Sequence, residues 1–200
     1  RRGKPTTHIK FGESTAVLAG NSLLTLAFET IADKKFKIKN KSKIDLIKNL
    51  ALCSGHSGIA GGQELDLKYE KKKKNLLNVI DMQKKKTGKL FSFCFYSVGS
   101  IADRKISEKR KLGIIGEDIG LLFQIRDDFL DITGKKKTTG KNVNKDNKKG
   151  KSTLINLLGY EKTENYANNL KKDIILRLNK YGKKAKDLIE VVEFIYNRKY

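Results

Sequence analysis

Proline occurs once, tryptophan not at all and cysteine only twice in these 200 residues. A single proline excludes a proline-rich scaffold. With the missing tryptophan it also weighs against a β-sandwich, which needs many turns, and favours long helices. Cys53 and Cys94 cannot make a disulfide framework, and neither stands in a C-x-x-C or Cys/His cluster, so a reducing, cytoplasmic setting is expected. Arginine is scarce as well, at positions 1, 2, 104, 110, 126, 177 and 198 only. The net charge of +22, from 44 basic and 22 acidic residues, is therefore carried mostly by lysine. A hydrophobic content of 38% with a mean hydropathy of −0.53 is low for a globular chain but too high for a wholly disordered one. One domain with a real core is expected over residues 1–200.

Long uninterrupted apolar runs are also lacking. The least charged stretch, Ser14 to Ala32, is broken by Asn21, Ser22, Thr25, Glu29 and Thr30. Polar groups in lipid are costly, so this stretch is expected to be a buried central helix and not a membrane span. The chain opens on Arg1, without Met and without a charged-then-apolar leader, and is expected to begin inside a longer protein.

No period-2 alternation persists anywhere, whereas helical periodicity is common. Ser14 is expected to cap a first long helix and Ser42 a second, ending in a break at Gly55, Gly58, Gly61 and Gly62. Residues 75–95 and 108–132 read as two further long helices, and 162–180 and 184–198 as amphipathic ones. Lys135 to Lys151 reads as a loop with eight lysines and one acid, Asp146.

The sharpest constellation is Gln124-Ile125-Arg126-Asp127-Asp128-Phe129-Leu130-Asp131. Residues three and four apart share a helix face, so Gln124, Asp127, Asp128 and Asp131 form one polar stripe. Crowded carboxylates, if even half-buried, need a cation, and hard oxygens at this spacing suit Mg²⁺, which keeps waters and accepts phosphates as its other ligands. On spacing alone the triplet reads equally as an exposed acidic patch. Lone cations beside glycine or threonine recur elsewhere: Arg1-Arg2-Gly3, Lys86-Thr87-Gly88, Gly140-Lys141 and Gly150-Lys151-Ser152. Such positions can approach a phosphate closely, although a single lysine of this kind is more often plain surface. Gly150-Lys151-Ser152 is not a P-loop, since neither a strand nor a G-x-x-x-x-G spacing precedes it. His8 and His56 lack partners at metal spacing, and Phe91, Phe93 and Phe95 read as core.

These pieces stand in a recognisable order. Arg1-Arg2-Gly3-Lys4-Pro5-Thr6-Thr7-His8, Phe11-Gly12-Glu13, Leu18-Ala19-Gly20-Asn21-Ser22-Leu23, Gly61-Gly62-Gln63-Glu64-Leu65-Asp66-Leu67, Lys86-Thr87-Gly88, Phe123 to Asp131 and Gly150-Lys151-Ser152-Thr153 are colinear over the chain. In this the sequence resembles the trans-prenyl diphosphate synthases, most closely their bacterial farnesyl branch. The resemblance implies an all-α terpenoid-synthase bundle around a central cavity, here lacking its N-terminal helices. It implies condensation of isopentenyl diphosphate with an allylic diphosphate, with geranylgeranyl as the alternative product length. It also implies Mg²⁺ as cofactor and a homodimer, with no specific nucleic-acid partner.

Roles follow from the same resemblance. Asp127 and Asp131, with Asp128 nearby, would hold the metal. Lys86, Thr87, Gln124 and Lys141 would bind the allylic diphosphate or face the developing cation. Arg1 would face the allylic diphosphate and Arg2 isopentenyl diphosphate, Lys151 would neutralise phosphate, and Arg198-Lys199 could close over the second substrate. Two departures stand out. The family's first aspartate-rich motif should directly precede Arg1, so the 200 residues alone are expected to be inactive. Asn21 stands where the family usually has Asp. Three rival readings remain: a nucleic-acid binder, against which the scattered lysines speak; a terpene cyclase of the same fold; and a noncatalytic synthase subunit.

Overall fold

The computed structural model describes residues 3–70, 72, 74–133 and 153–198, and every regular element among them is helical. In chain order these are α1 (Thr7–Phe11), α2 (Glu13–Ala32), α3 (Asn40–Ser54), α4 (Ile59–Tyr69), α5 (Leu76–Gln83), a π turn (Lys84–Gly88), α6 (Lys89–Ile101), α7 (Ile106–Thr133), α8 (Leu154–Leu158), α9 (Tyr160–Asn179), a 3₁₀ turn (Gly182–Ala185) and α10 (Lys186–Asn197). The all-α expectation holds.

α7 is the axis. Its 28 residues bury Ile115, Ile119, Leu121, Leu122, Ile125 and Phe129, which join Val79 and Met82 of α5, Leu154 of α8, Ile174 of α9 and Val192 of α10 in one core. Removing that much apolar surface from water is the main stabilising contribution, at roughly 25 cal/mol per Å². α6 lies against α7 along a glycine seam. A Cβ on Gly120 would stand 2.6 Å from Gly88 Cα, and one on Gly116 would stand 2.6 Å from the Phe91 carbonyl oxygen. No larger residue lets these backbones meet. A smaller cluster of Ile31, Leu46 and Leu50, with Phe28, Phe36 and Phe93 against it, ties the end of α2 to α3 and α6.

Several local expectations are corrected. α2 starts at Glu13, two residues earlier than a Ser14 cap allows, because Gly12 at φ +88° turns the chain there. Ser42 lies inside α3, and its buried hydroxyl donates to the Ser100 carbonyl at the end of α6 (3.0 Å). The expected helix over 75–95 is interrupted by the π turn and runs on to Ile101. Its N-terminus is capped by Asn75, whose side chain accepts from the Asn78 N–H. Gly61 and Gly62 belong to α4 and do not break it. A Cβ on Gly62 would meet the Lys86 amide nitrogen at 2.2 Å, so this glycine lets α4 touch the π turn.

The largest correction concerns α2. It was expected to be central, yet Ile31 is its only buried residue. Leu18 and Leu23 are 65% and 67% exposed. The helix is long and apolar enough to cross a membrane by length and composition, and its most apolar window is wholly unburied. Its apolar residues run around the whole cylinder, and among the described helices its main neighbours are α1 and α3.

Candidate active site

The π turn supplies Lys86 and Thr87, and α7 supplies Gln124, Asp127, Asp128 and Asp131. A π turn inserts an extra residue into a helical ladder and re-aims the side chains beside it. Here it turns Thr87 toward α7, where its hydroxyl donates to Gln124 Oε1 (2.8 Å). The Gln124 amide donates in turn to Asp128 Oδ1, and the Gln83 amide donates to Asp128 Oδ2, both at 2.9 Å. Thr87 and Gln124, 37 residues apart in sequence, are therefore brought into direct contact.

Asp128 and Gln83 are both buried, at 4% and 3% exposure. A carboxylate of the acidic stripe thus accepts from an amide on each of its oxygens. Gln83 also leaves its Oε1 buried with no partner among the described residues. An orphaned buried acceptor costs about 1–3 kcal/mol, which the charge-assisted bond to Asp128 offsets.

Lys86 is in a different position from that expected of a free phosphate ligand. Its Nζ donates to Asp66 Oδ2 of α4 (2.6 Å), and Asp66 is buried. Asp66 had no assigned role in the sequence reading, although it lies in the quoted Gly61 to Leu67 stretch. Asp127 is partly exposed, and Arg198 Nη2 stands 3.5 Å from its Oδ1. That guanidinium also donates to the Phe123 carbonyl (2.9 Å) and lies 3.9 Å over the Phe123 ring. Burial pushes the Arg198 pKa down, against the opposing pull of Asp127. Asp131 is half-buried one turn beyond Asp127. Arg1, Arg2, Lys141, Lys151 and Lys199 lie outside the described residues.

A second layer of charge holds the frame. Arg126 donates to Glu164 of α9 (2.6 Å), which also accepts from the Tyr196 hydroxyl of α10 (2.7 Å). The Arg126 guanidinium lies 5.0 Å from the rings of both Phe129 and Tyr196. Two turns earlier on α7, Asp118 pairs with Lys84 of the π turn and Arg177 of α9, each at 2.8 Å. Burial alone would lower the Lys84 pKa, but the bond and charge of Asp118 outweigh it and raise it. The π turn is thus bolted to α7 by an ion pair as well as by packing. A cleft of about 450 Å³ lined by Glu108, Lys111, Ile114, Arg177, Lys180 and Tyr181 lies at the opposite end of α7.

No group of three or more His, Cys, Asp or Glu among the described residues could hold a metal by itself. Asp127 and Asp131, one turn apart and partly open, fit a different kind of site. Mg²⁺ commonly takes one or two protein carboxylates and fills its shell with water and phosphate oxygens. The donor set suits such an open site and would not suit a closed cage.

Comparisons with known proteins place the chain in a family. The family model described as Polyprenyl synthetase matches residues 1–194. The farnesyl diphosphate synthase of Micrococcus luteus is 39% identical over 84% of this chain and 57% of its own length. The geranylgeranyl pyrophosphate synthase 4 of Arabidopsis thaliana is 36% identical over 100% of this chain and 54% of its own length. The crystal structure of the Helicobacter pylori geranyltransferase complexed with magnesium and isoprenyl diphosphate superposes with a TM-score of 0.83 at 32% identity. It covers 98% of this chain and 64% of that one. The chain belongs to the polyprenyl synthetase family, with the all-α fold of the trans-prenyl synthases. It spans little more than half the length of these two sequence relatives.

Proposed function

We propose that the protein to which this chain belongs joins isopentenyl diphosphate to an allylic diphosphate, with farnesyl diphosphate as product. The 200 residues form the C-terminal portion of its single synthase domain. The observation that carries the reading is the Thr87–Gln124 hydrogen bond beside Asp127. It links two uncharged dipoles, anchored through the Gln124 amide to Asp128, next to Asp127 in the last turns of α7. Dipoles fixed in advance stabilise developing charge better than mobile water does. Asp127 and Asp131 would hold Mg²⁺, which when bound supplies positive charge to the leaving diphosphate.

The allylic C–O bond breaks with its electron pair going to the diphosphate. Thr87 and Gln124 face the allylic cation. The alkene of isopentenyl diphosphate forms the new C–C bond, and the proton released from the adjacent carbon goes to the departed diphosphate. Lys86, held by Asp66, reaches the allylic diphosphate once that anion competes for its ammonium. Arg1, Arg2, Lys141 and Lys151 serve as further phosphate cations. The match to a geranylgeranyl synthase across the whole chain supports a longer product as the second reading.

A second copy of the chain is the proposed partner of α2. Its Val17, Leu18, Leu23 and Leu26 are more than half exposed, yet Asn21, Ser22 and Thr25 lie among them. A protein face accommodates such polar groups more readily than lipid does. Two free thiols support a cytoplasmic location.

The test is turnover by the complete gene product, supplied with isopentenyl and dimethylallyl diphosphates and Mg²⁺, with sizing of the products. Farnesyl diphosphate is expected, abolished by EDTA and lowered about 10²–10³-fold by Asp127→Ala. Full turnover by Asp127→Ala would overturn the reading.

A further inference from the structure

The hydrogen-bond chain Gln83–Asp128–Gln124–Thr87 has a direction. An ionised carboxylate only accepts, so both amides facing Asp128 must present their NH₂ groups. The Gln124 carbonyl oxygen then faces Thr87 and can only accept. Thr87 has one proton and spends it on that oxygen. What the Thr87 hydroxyl offers to anything else is lone pairs. Such a group attracts a cation and repels a phosphate oxygen.

We infer that Gln83 and Asp128 are positioning residues that fix Thr87 and Gln124 as acceptors aimed at a carbocation, with Asp128 serving this chain and not the metal. The inference rests on the prenyl-transfer reading above. Burial of Gln83 and Asp128 keeps water from replacing the Gln83 amide as donor to the carboxylate. The Oε1 of Gln83 carries the same message: its amide is turned to serve Asp128 even though its own carbonyl finds no partner among the described residues. Reversing either amide would set two acceptors or two donors face to face, so the polarity is all-or-none along the chain.

The experiment uses the complete gene product. Gln83→Leu removes the donor at similar size, and Gln83→His returns a ring N–H. Gln83→Leu is expected to lower kcat about tenfold while KM for the allylic diphosphate stays within about twofold, with most of kcat returning in Gln83→His. Two probes then separate charge recognition from general damage. A prenyl-chain ammonium salt given with pyrophosphate and Mg²⁺ should bind about tenfold more weakly to Gln83→Leu, whereas a prenyl thiolodiphosphate, which carries no positive charge and whose C–S bond does not ionise, should bind as before.

Equal weakening of both probes, unchanged kcat, or no recovery in Gln83→His overturns the proposal. Asp128→Asn gives an independent arm should Gln83→Leu fail to fold. It should leave Mg²⁺ affinity within about twofold, since its oxygens face amides, and a tenfold loss would make Asp128 a ligand and end the inference. A readout free of turnover covers failure of the prenyl-transfer reading itself. The side-chain amide NMR signal of Gln124 should move in Gln83→Leu, and an unmoved signal would refute the coupling even in an inactive protein.

Discussion

α2 and α7 are both long, both rich in aliphatic residues, and both contain glycine, yet they spend these residues differently. α7 buries Ile119, Leu121, Leu122 and Ile125 almost completely, because α6, α9, α10 and the π turn surround it. α2 leaves Leu18, Leu23 and Leu26 open, and joins an apolar cluster near its C-terminal end through Ala27, Phe28 and Ile31. The glycines divide in the same way. Gly116 and Gly120 in α7 are pressed against α6 and the π turn, whereas a Cβ on Gly20 in α2 would meet nothing within 4 Å. Apolar content, then, does not decide burial. A helix becomes core when its neighbours can come close on several sides.

The sharpest break of this comparison is a pair of substitutions. Phe129 is 2% exposed at the heart of the α7 core. Phe129→Ala should destabilise by about 3–5 kcal/mol, at any protein concentration, in urea unfolding followed by circular dichroism. Leu23→Asp on α2 should leave the stability of the monomer within about 0.5 kcal/mol. Its effect should appear in sedimentation equilibrium as loss of a dimer. Two results would erase the proposed role of α2 as a contact with a second copy. One is a parent that stays monomeric. The other is an apolar helix that partitions onto lipid vesicles instead.

The glycines give the next effect in size. Gly62→Ala forces a Cβ to within 2.2 Å of the Lys86 amide, and this contact is backbone, which cannot swing aside. A loss of about 1–3 kcal/mol is expected, together with displacement of Lys86 from Asp66. Gly20→Ala has open space and helical dihedrals and should gain up to about 1 kcal/mol. Equal signs for the two substitutions in thermal melts would show that α2 is as tightly packed as α4.

What the sequence made legible follows the same division. The helical class and the span of α7 were readable because periodicity over 28 residues is a strong signal. The pairing of Thr87 with Gln124 was suggested by resemblance and not by spacing, since nothing in a sequence brings residues 37 apart together. The Asp66 partner of Lys86 was invisible for that reason as well. The carboxylate stripe on α7 looked uniform, because i, i+3 and i+4 rules place residues on a face without saying which side chains other helices will claim. Only the arrival of Gln83 from α5 separates Asp128 from Asp127. α2 was misread because an apolar helix and a buried helix have the same composition. The cap at Ser42 was misread because Ser100, 58 residues away, supplies a better use for its hydroxyl.

The smallest expected effect concerns pH, and it probes how α10 is held on the α7 side of the molecule. Burial first, and then its bond to Glu164, push the Tyr196 phenol up to about 12. A phenol unfolds to an ordinary pKa of about 10. Below pH 10 both states keep the proton and its contribution is whole. From about pH 10 to 12 the unfolded state releases a proton that the folded state retains, so stability falls as pH rises. Many lysines titrate in the same range, and the comparison must therefore be a difference. Tyr196→Phe should be less stable than its parent at pH 8, and the gap should narrow steadily between pH 10 and 12 as the parent loses its advantage. A gap that stays constant across that range would mean that the hydroxyl is open to solvent in the folded protein. The network of Arg126, Glu164 and Tyr196 would then contribute nothing to holding α10 against α7.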